Sequence, residues 1–213
     1  MSDNLKWLLL IPVVIVAISL GYVIPKLVGS DDERPEQRQS QALQLDIDAT
    51  GERIENYRAL LESNPEDVEL LRGLADSHRE IGSLQAENRQ YQESFTSFKT
   101  AVDYYREYLA KKPEAQDAGI DLGLTYFYME MPLVAERELQ KVVQSLPQSQ
   151  RAWHSLGWLQ MRLGKDDEAR ASWQKSYELD PESAVGRESR AFMDELDLSR
   201  GVSQNEIQVP PAP

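Results

Sequence analysis

Few residues of this chain have the type and spacing that chemistry requires. The two histidines, His78 and His154, are far apart in the sequence, and neither has a second ligand four residues on, the spacing that places two ligands on one face of a helix. Two acidic runs, residues 136–138 (ERE) and residues 166–168 (DDE), open predicted helices, where carboxylates favour the helix dipole. We therefore expect buried or groove-lining histidines, no metal ion, no cofactor and no acid–base pair.

Other catalytic signatures are missing as well. The glycines are dispersed and form no phosphate-binding loop, and no nucleophile elbow or triad is apparent. Cysteine is absent, which excludes disulfides, thiolate metal sites and haem attachment. The net charge of −13 argues against nucleic acid, because phosphate binding requires a basic face. We predict that the chain is not an enzyme and binds no nucleic acid.

The helices that must position the remaining side chains repeat every 34 residues between residues 116 and 183. The recurring pairs are Leu122 and Leu156, Gly123 and Gly157, Ala135 and Ala169, Leu139 and Trp173, and Pro147 and Pro181. Together with Trp153 and Gly164, this pattern resembles the tetratricopeptide repeat (TPR) family. The resemblance implies stacked helical hairpins and a style of binding, and it names no partner.

We predict an all-α fold, a TPR-type solenoid of helical hairpins with one N-terminal transmembrane helix. The TPR domain is predicted over residues 44–198, with a half repeat (44–65), a lengthened repeat (66–115), two regular repeats (116–149 and 150–183) and a capping helix (184–198). A transmembrane signal anchor (1–28) and a polar linker (29–43) precede it, and a disordered tail (199–213) follows it.

The first full repeat departs from the period of the other two. The small residue expected twelve positions after Ala75 is found at Ala101, which predicts an insertion of 14 residues. We expect a long antiparallel hairpin that projects beyond the other repeats, with its tip at residues 86–90. The alternative is a turn at residues 82–83 followed by one much longer helix, and the sequence leaves both open.

An apolar run precedes the repeats. Residues 7–24 (WLLLIPVVIVAISLGYVI) are 18 residues without a charge, enough to cross most of a hydrocarbon core about 30 Å thick. We predict a single-pass protein of the cytoplasmic (inner) membrane, with the N-terminus inside and the TPR domain on the extracytoplasmic side. The alternatives are cleavage near residues 17–19, as in a signal peptide, and a buried soluble helix.

The TPR resemblance also implies a binding surface, because the first helix of each repeat lines the concave face of such folds. The residues carried over as partner-binding are Ile120, Leu124, Phe127, Tyr128, Arg151, His154, Trp158, Met161 and Arg162. The first repeat contributes a charged wall of Glu69, Arg72, Asp76, Arg79 and Glu80. This surface predicts a groove for a peptide segment with apolar side chains. The alternative is that the capping helix covers these residues.

The predicted function is a membrane-anchored scaffold or adaptor that binds a protein or peptide client in this groove. One span followed by acidic repeats resembles, in architecture alone, the TPR subunits of bacterial-type cytochrome c maturation systems and the TPR proteins associated with the secretion machinery. That resemblance implies a role in cytochrome c maturation or envelope protein biogenesis. The alternative is self-association, or assembly into a complex, through the long helical hairpin, so a homo-oligomer stays open.

Overall fold

The computed structural model describes residues 34–206, and this range contains eight α-helices and no strand. The helices are α1 (Pro35–Ser63), α2 (Glu69–Glu87), α3 (Tyr91–Lys111), α4 (Ala118–Tyr128), α5 (Pro132–Ser145), α6 (Gln150–Arg162), α7 (Asp166–Leu179) and α8 (Ala184–Glu206). The predicted all-α array of helical hairpins is confirmed. The contacts of the chain divide it between Gln44 and Leu45, and the hairpins all belong to the second unit.

Two segments are more helical than the sequence suggested. Helix α1 begins at Pro35, so the second half of the predicted polar linker is helical. Proline suits the first turn of a helix, where its missing N–H would have no partner in any case. Helix α8 continues to Glu206, so residues 199–206 of the predicted disordered tail are helical too.

The hairpins α2–α3, α4–α5 and α6–α7 share one register. In each, a glycine of the first helix faces a large side chain located sixteen residues later: Gly82 faces Phe98, Gly123 faces Leu139, and Gly157 faces Trp173. A Cβ atom at these glycines would lie 2.9, 2.9 and 2.7 Å from the facing side chains. Glycine therefore allows the two helices of each hairpin to pack closely, and the large side chain fills the space beside it.

The turns follow the same register. Seven residues after each glycine, the backbone adopts a positive φ, at Arg89 (62°), Glu130 (59°) and Gly164 (71°). Each of these residues donates its N–H to the carbonyl three residues earlier, at 3.0 Å, which closes the end of the first helix. The predicted tip at residues 86–90 is confirmed, and the alternative turn at residues 82–83 is wrong.

The shared register corrects the predicted insertion. Gly82, not Ala75, is equivalent to Gly123, and the small residue facing it is Ser94, whose Oγ donates to the Gly82 carbonyl at 2.7 Å. Gly82 and Gly123 are 41 residues apart and Gly123 and Gly157 are 34 apart, so the insertion is seven residues, about two helical turns. The extra turns lie at the open end of the hairpin, which is the end away from its tip. The tip therefore does not project beyond the tips of the other two hairpins.

The capping helix α8 packs against both helices of the last hairpin. Met193 and Leu196 join the buried cluster around Trp173, and the Phe192 ring stacks on Trp173 with centroids 5.1 Å apart. The start of α8 lies so close to the end of α7 that a Cβ atom on Gly186 would collide with the carbonyl oxygen of Asp180. This contact sets the direction in which α8 leaves the hairpin.

The predicted transmembrane helix, within residues 1–28, lies outside the described residues. Between residues 34 and 206, none of the helices combines the length and the apolar character needed to cross a bilayer. This finding overturns the predicted localisation, a single-pass inner-membrane protein with its TPR domain on the extracytoplasmic side, and we withdraw it.

Close packing at the hairpin glycines can be tested with Gly157→Ala. The new methyl group would meet the fully buried Trp173 ring, so we expect the free energy of unfolding to fall by roughly 1–3 kcal/mol. Gly51→Ala is the matched control, because nothing lies within 4 Å of its Cβ position in α1, and we expect it to stabilise the chain by roughly 0.5–1 kcal/mol. Urea unfolding followed by circular dichroism measures both. Equal stabilisation by the two substitutions would contradict the packing.

Candidate functional site

The first helices of the three hairpins, α2, α4 and α6, lie side by side. We call the face that they share the groove. In the shared register, Asp76, Asp117 and Arg151 occupy one equivalent position on it, six residues before the hairpin glycine. The first repeat therefore contributes Asp76 and Arg79, as predicted, followed by Ser83, Ala86 and Glu87. Ser83, Ala86 and Glu87 thus take the place of Glu69, Arg72 and Glu80, which the sequence had assigned to the charged wall.

A cleft of about 270 Å³ opens where α4, α6 and α8 meet. Its lining residues are Leu124, Tyr128, His154, Ser155, Trp158, Glu188 and Phe192. Four of them, Leu124, Tyr128, His154 and Trp158, were predicted as partner-binding residues. The helix α8 forms one wall of the cleft and leaves it open, so the alternative of a fully covered groove does not hold for these four residues.

Ring contacts hold the aromatic side chains of the cleft in place. Phe127 contacts the Trp158 ring edge-on at 4.8 Å between centroids and the Tyr128 ring at 5.9 Å. Tyr128 also stacks on Phe98, at 5.5 Å, while 47% of its surface stays exposed. Tyr128 is thus both rigidly supported and accessible, a combination typical of residues that anchor a partner.

The other predicted site residues have different roles. Ile120 is fully buried in the core, which corrects its prediction as a contact residue: α4 is covered on both sides by neighbouring helices, and this position lies beneath them. Met161 packs against the cluster around Trp173. Arg151 pairs with Asp121, and Arg162 lies exposed in the last turn of α6.

Asp117 and Arg151 of the groove are paired with charged residues that lie beside it. The buried carboxylate of Asp121 accepts hydrogen bonds from Arg151, and Arg72 lies 3.8 Å away. Arg72 also pairs with Asp117 at 3.0 Å; although its partial burial acts in the opposite direction, this partner raises the pKa of Arg72. These pairs link α2, α4 and α6 across the groove. They hold the helices in register and leave less free charge for a partner than the sequence suggested.

A hydrogen-bond chain orients His154. Its Nδ1 lies 2.9 Å from Ser189 Oγ, Ser189 Oγ donates to Ser176 Oγ at 2.9 Å, and Ser176 Oγ donates to the Gln150 carbonyl at 3.1 Å. On the other side of the ring, Nε2 lies 3.7 Å from the carboxylate of Glu188. Burial lowers the pKa of His154, and Glu188 opposes this effect.

His78 is a core residue outside the cleft. Its ring stacks on Tyr104 with centroids 5.6 Å apart, and its Nε2 has no hydrogen-bond partner in the described part of the chain. Burial lowers the pKa of His78 to about 4. Within residues 34–206, no group of three or more histidine, aspartate and glutamate side chains has the arrangement needed to hold a metal ion.

A second exposed surface lies at the hairpin tips. Between the second and third hairpins, Lys165 Nζ binds the buried carboxylate of Glu136 at 2.6 and 2.8 Å. At the equivalent positions between the first and second hairpins, the residues are Met131 and Phe95, which are 41% and 49% exposed. We call Tyr91, Phe95, Met131 and Leu133 the tip patch. The sequence alone does not indicate this patch, because the equivalence appears only once the register is known.

Comparisons with known proteins agree with this architecture. Models of the tetratricopeptide repeat family match residues 150–183 and residues 54–97. The second match contains both Gly82 and Ser94, the pair that defines the register of the first hairpin. No curated protein sequence matches the chain significantly.

Several solved structures are similar to this chain. The MamA RS-1 ArsTM double mutant is 16% identical, with a TM-score of 0.51 over 76% of this chain and 96% of that chain. The first TPR of Spaghetti (RPAP3) bound to the HSP90 peptide SRMEEVD is 17% identical, with a TM-score of 0.45 over 60% and 93%. The Sgt2 TPR domain from Aspergillus fumigatus is 14% identical, with a TM-score of 0.46 over 65% and 85%. At 16% identity, the likeness to the MamA RS-1 ArsTM double mutant concerns the fold alone.

The buried His78 makes stability depend on pH. The folded pKa of about 4 lies below the ordinary value of 6.5, so the unfolded chain binds the proton first as the pH falls. The stability due to neutral His78 is complete above pH 6.5 and is lost toward pH 4, a change on the order of 2–3 kcal/mol. His78→Phe keeps a ring against Tyr104 and removes the titration.

The measurement is urea unfolding at a series of pH values for both proteins. Carboxylates lower the stability of both as the pH falls, so the informative quantity is the difference between them. The parent should lose more stability than His78→Phe between pH 6.5 and 4. Parallel pH profiles would contradict the assignment.

Proposed function

We propose that this chain, which belongs to the tetratricopeptide repeat family, is a protein-interaction scaffold that binds a peptide segment of a partner protein in the groove. Stacked helical repeats present extended surfaces for such binding. The observation that carries the proposal is the cleft between α4, α6 and α8, with its fixed yet accessible aromatic side chains.

The size and openness of the cleft suit a peptide side chain. Sites for small molecules usually enclose about 300–1,000 Å³, and this cleft of about 270 Å³ is smaller and open. It suits one or two side chains of a segment that continues along the groove. Leu124, Tyr128, His154 and Trp158 would contact the partner, and Phe127 and Met161 would support them.

The paired charges indicate which contacts carry the affinity. Arg72, Arg151 and Asp121 already satisfy one another, so a partner would gain little by displacing these pairs. We infer that apolar and aromatic anchors dominate, with exposed Arg162 at the rim. The architectural analogy to cytochrome c maturation depended on the membrane span, and with the membrane localisation withdrawn it is not part of this proposal.

Peptide binding can be tested with a random peptide library displayed on phage and selected against the full chain. We expect the selected peptides to carry apolar side chains and to bind Tyr128→Ala about tenfold or more weakly, because truncating an anchor typically costs more than 1 kcal/mol. Fluorescence anisotropy with labelled copies of the selected peptides measures the affinities. Leu198→Ala, at a side chain that is 70% exposed on α8, is the control. Equal binding by both variants would contradict the groove.

The tip patch supports a second candidate, self-association of the chain. Its four apolar side chains are 41–68% exposed, and two of them, Phe95 and Met131, lie where the neighbouring junction carries an ion pair. Apolar residues in place of such a pair are typical of a surface that another protein covers. The sequence suggested that the long hairpin mediates self-association or assembly. We now propose that this role belongs to the tips of the first two hairpins.

Sedimentation velocity over a range of concentrations tests this candidate. We expect the full chain to associate as its concentration rises, and the double variant Phe95→Glu/Leu133→Glu to associate at least tenfold more weakly, because each carboxylate would be desolvated at the interface. Leu198→Glu adds a charge at an exposed leucine elsewhere and should associate like the parent. Unchanged association of the double variant would rule out the tip patch as the interface.

A further inference from the structure

Two hydrogen-bond acceptors face each other in the cleft. The carboxylate of Glu188 lies 3.7 Å from Nε2 of His154, and both residues line the cleft. In the described residues, Glu188 has no other ion-pair partner. The protonation state of His154 therefore decides what His154 and Glu188 can bind together.

The serine chain determines that state. The backbone carbonyl of Gln150 can only accept a hydrogen bond, so the hydroxyl of Ser176 must donate its proton to it. Ser189 must then donate its own proton to Ser176, and its oxygen is left to accept from Nδ1 of His154. In the neutral ring the proton is thus on Nδ1, and Nε2 offers a lone pair to the cleft. Burial also lowers the pKa of His154, so at neutral pH the ring does not neutralise Glu188.

A donor with positive charge would satisfy both acceptors at once. The rest of the lining suits a flat cation, since Trp158, Phe192 and Tyr128 supply aromatic rings and Leu124 an apolar floor. A guanidinium group is planar, carries several donors and stacks on aromatic faces, whereas an ammonium group is a compact and strongly hydrated charge.

We propose, building on the peptide groove proposed above, that this cleft is a subsite for an arginine side chain of the partner peptide. Glu188 is its ion-pair partner, His154 Nε2 is the second acceptor, and the rings of Trp158 and Phe192 form the walls. The capping helix α8 supplies two of these four residues and is therefore part of the binding site. The subsite selects among apolar peptides those with an arginine in register with the cleft.

Two synthetic peptides test the subsite on the full chain. Both are short, acetylated and amidated, and have the same leucine and alanine sequence; the central residue is arginine in one and citrulline, its neutral isostere, in the other. We expect the arginine peptide to bind about tenfold more tightly by calorimetry. Glu188→Gln should abolish this difference, because it removes the carboxylate that the guanidinium would pair with.

The control variant is Glu195→Gln, which removes the same charge from an exposed position of α8 outside the cleft. It should retain the preference for arginine, whereas a loss of preference there as well would overturn the specific role of Glu188. Equal binding of both peptides by the parent would overturn the arginine subsite while leaving the groove in place. Binding of neither peptide would overturn both. A lysine peptide that binds as tightly as the arginine peptide would overturn the choice of a guanidinium.

Discussion

The close approach of two helices at a glycine is the constraint on which the rest of the structure depends. At Gly82, Gly123 and Gly157 a large side chain from the second helix of the hairpin occupies the space that a Cβ atom would need. Each hairpin therefore has one register, and the turn follows at the same distance in all three. Because the registers agree, equivalent positions of α2, α4 and α6 fall on one face. The groove and its cleft are consequences of that alignment.

Ion pairs and aromatic contacts occupy different parts of this face. The pairs around Asp121 connect the three first helices and consume most of the charge near the open end of the groove. The aromatic side chains lie toward the tips, where rings from neighbouring helices support one another. The result is a mainly apolar cleft, with Glu188 and His154 as its acceptors, beside a neutralised charge network. A partner can then desolvate the cleft without having to break internal ion pairs, which is the costlier process.

The sequence predicted the regular part of the fold well, because the 34-residue spacing repeats small and large residues together. It placed the tip of the first hairpin correctly but misplaced its close contact, because Ala75 and Ala101 resemble the small residues of the family pattern, whereas the actual pair is Gly82 and Ser94. Serine satisfies the same steric need as alanine and adds a hydrogen bond. The extra seven residues went to the open end, since helices can lengthen there without disturbing the close contact or the turn.

In the candidate site too, some features follow from the sequence and others only from the tertiary structure. Residue types and spacing were sufficient to determine that α4 and α6 carry apolar and aromatic side chains on one face, since helical periodicity is local. Tertiary structure alone decided that Ile120 is buried, that Glu188 and Phe192 join the cleft, and that Phe95 and Met131 replace an ion pair. Each of these depends on which helix lies next to which, and at what offset. That offset is determined by contacts between residues distant in sequence, and no local pattern encodes it.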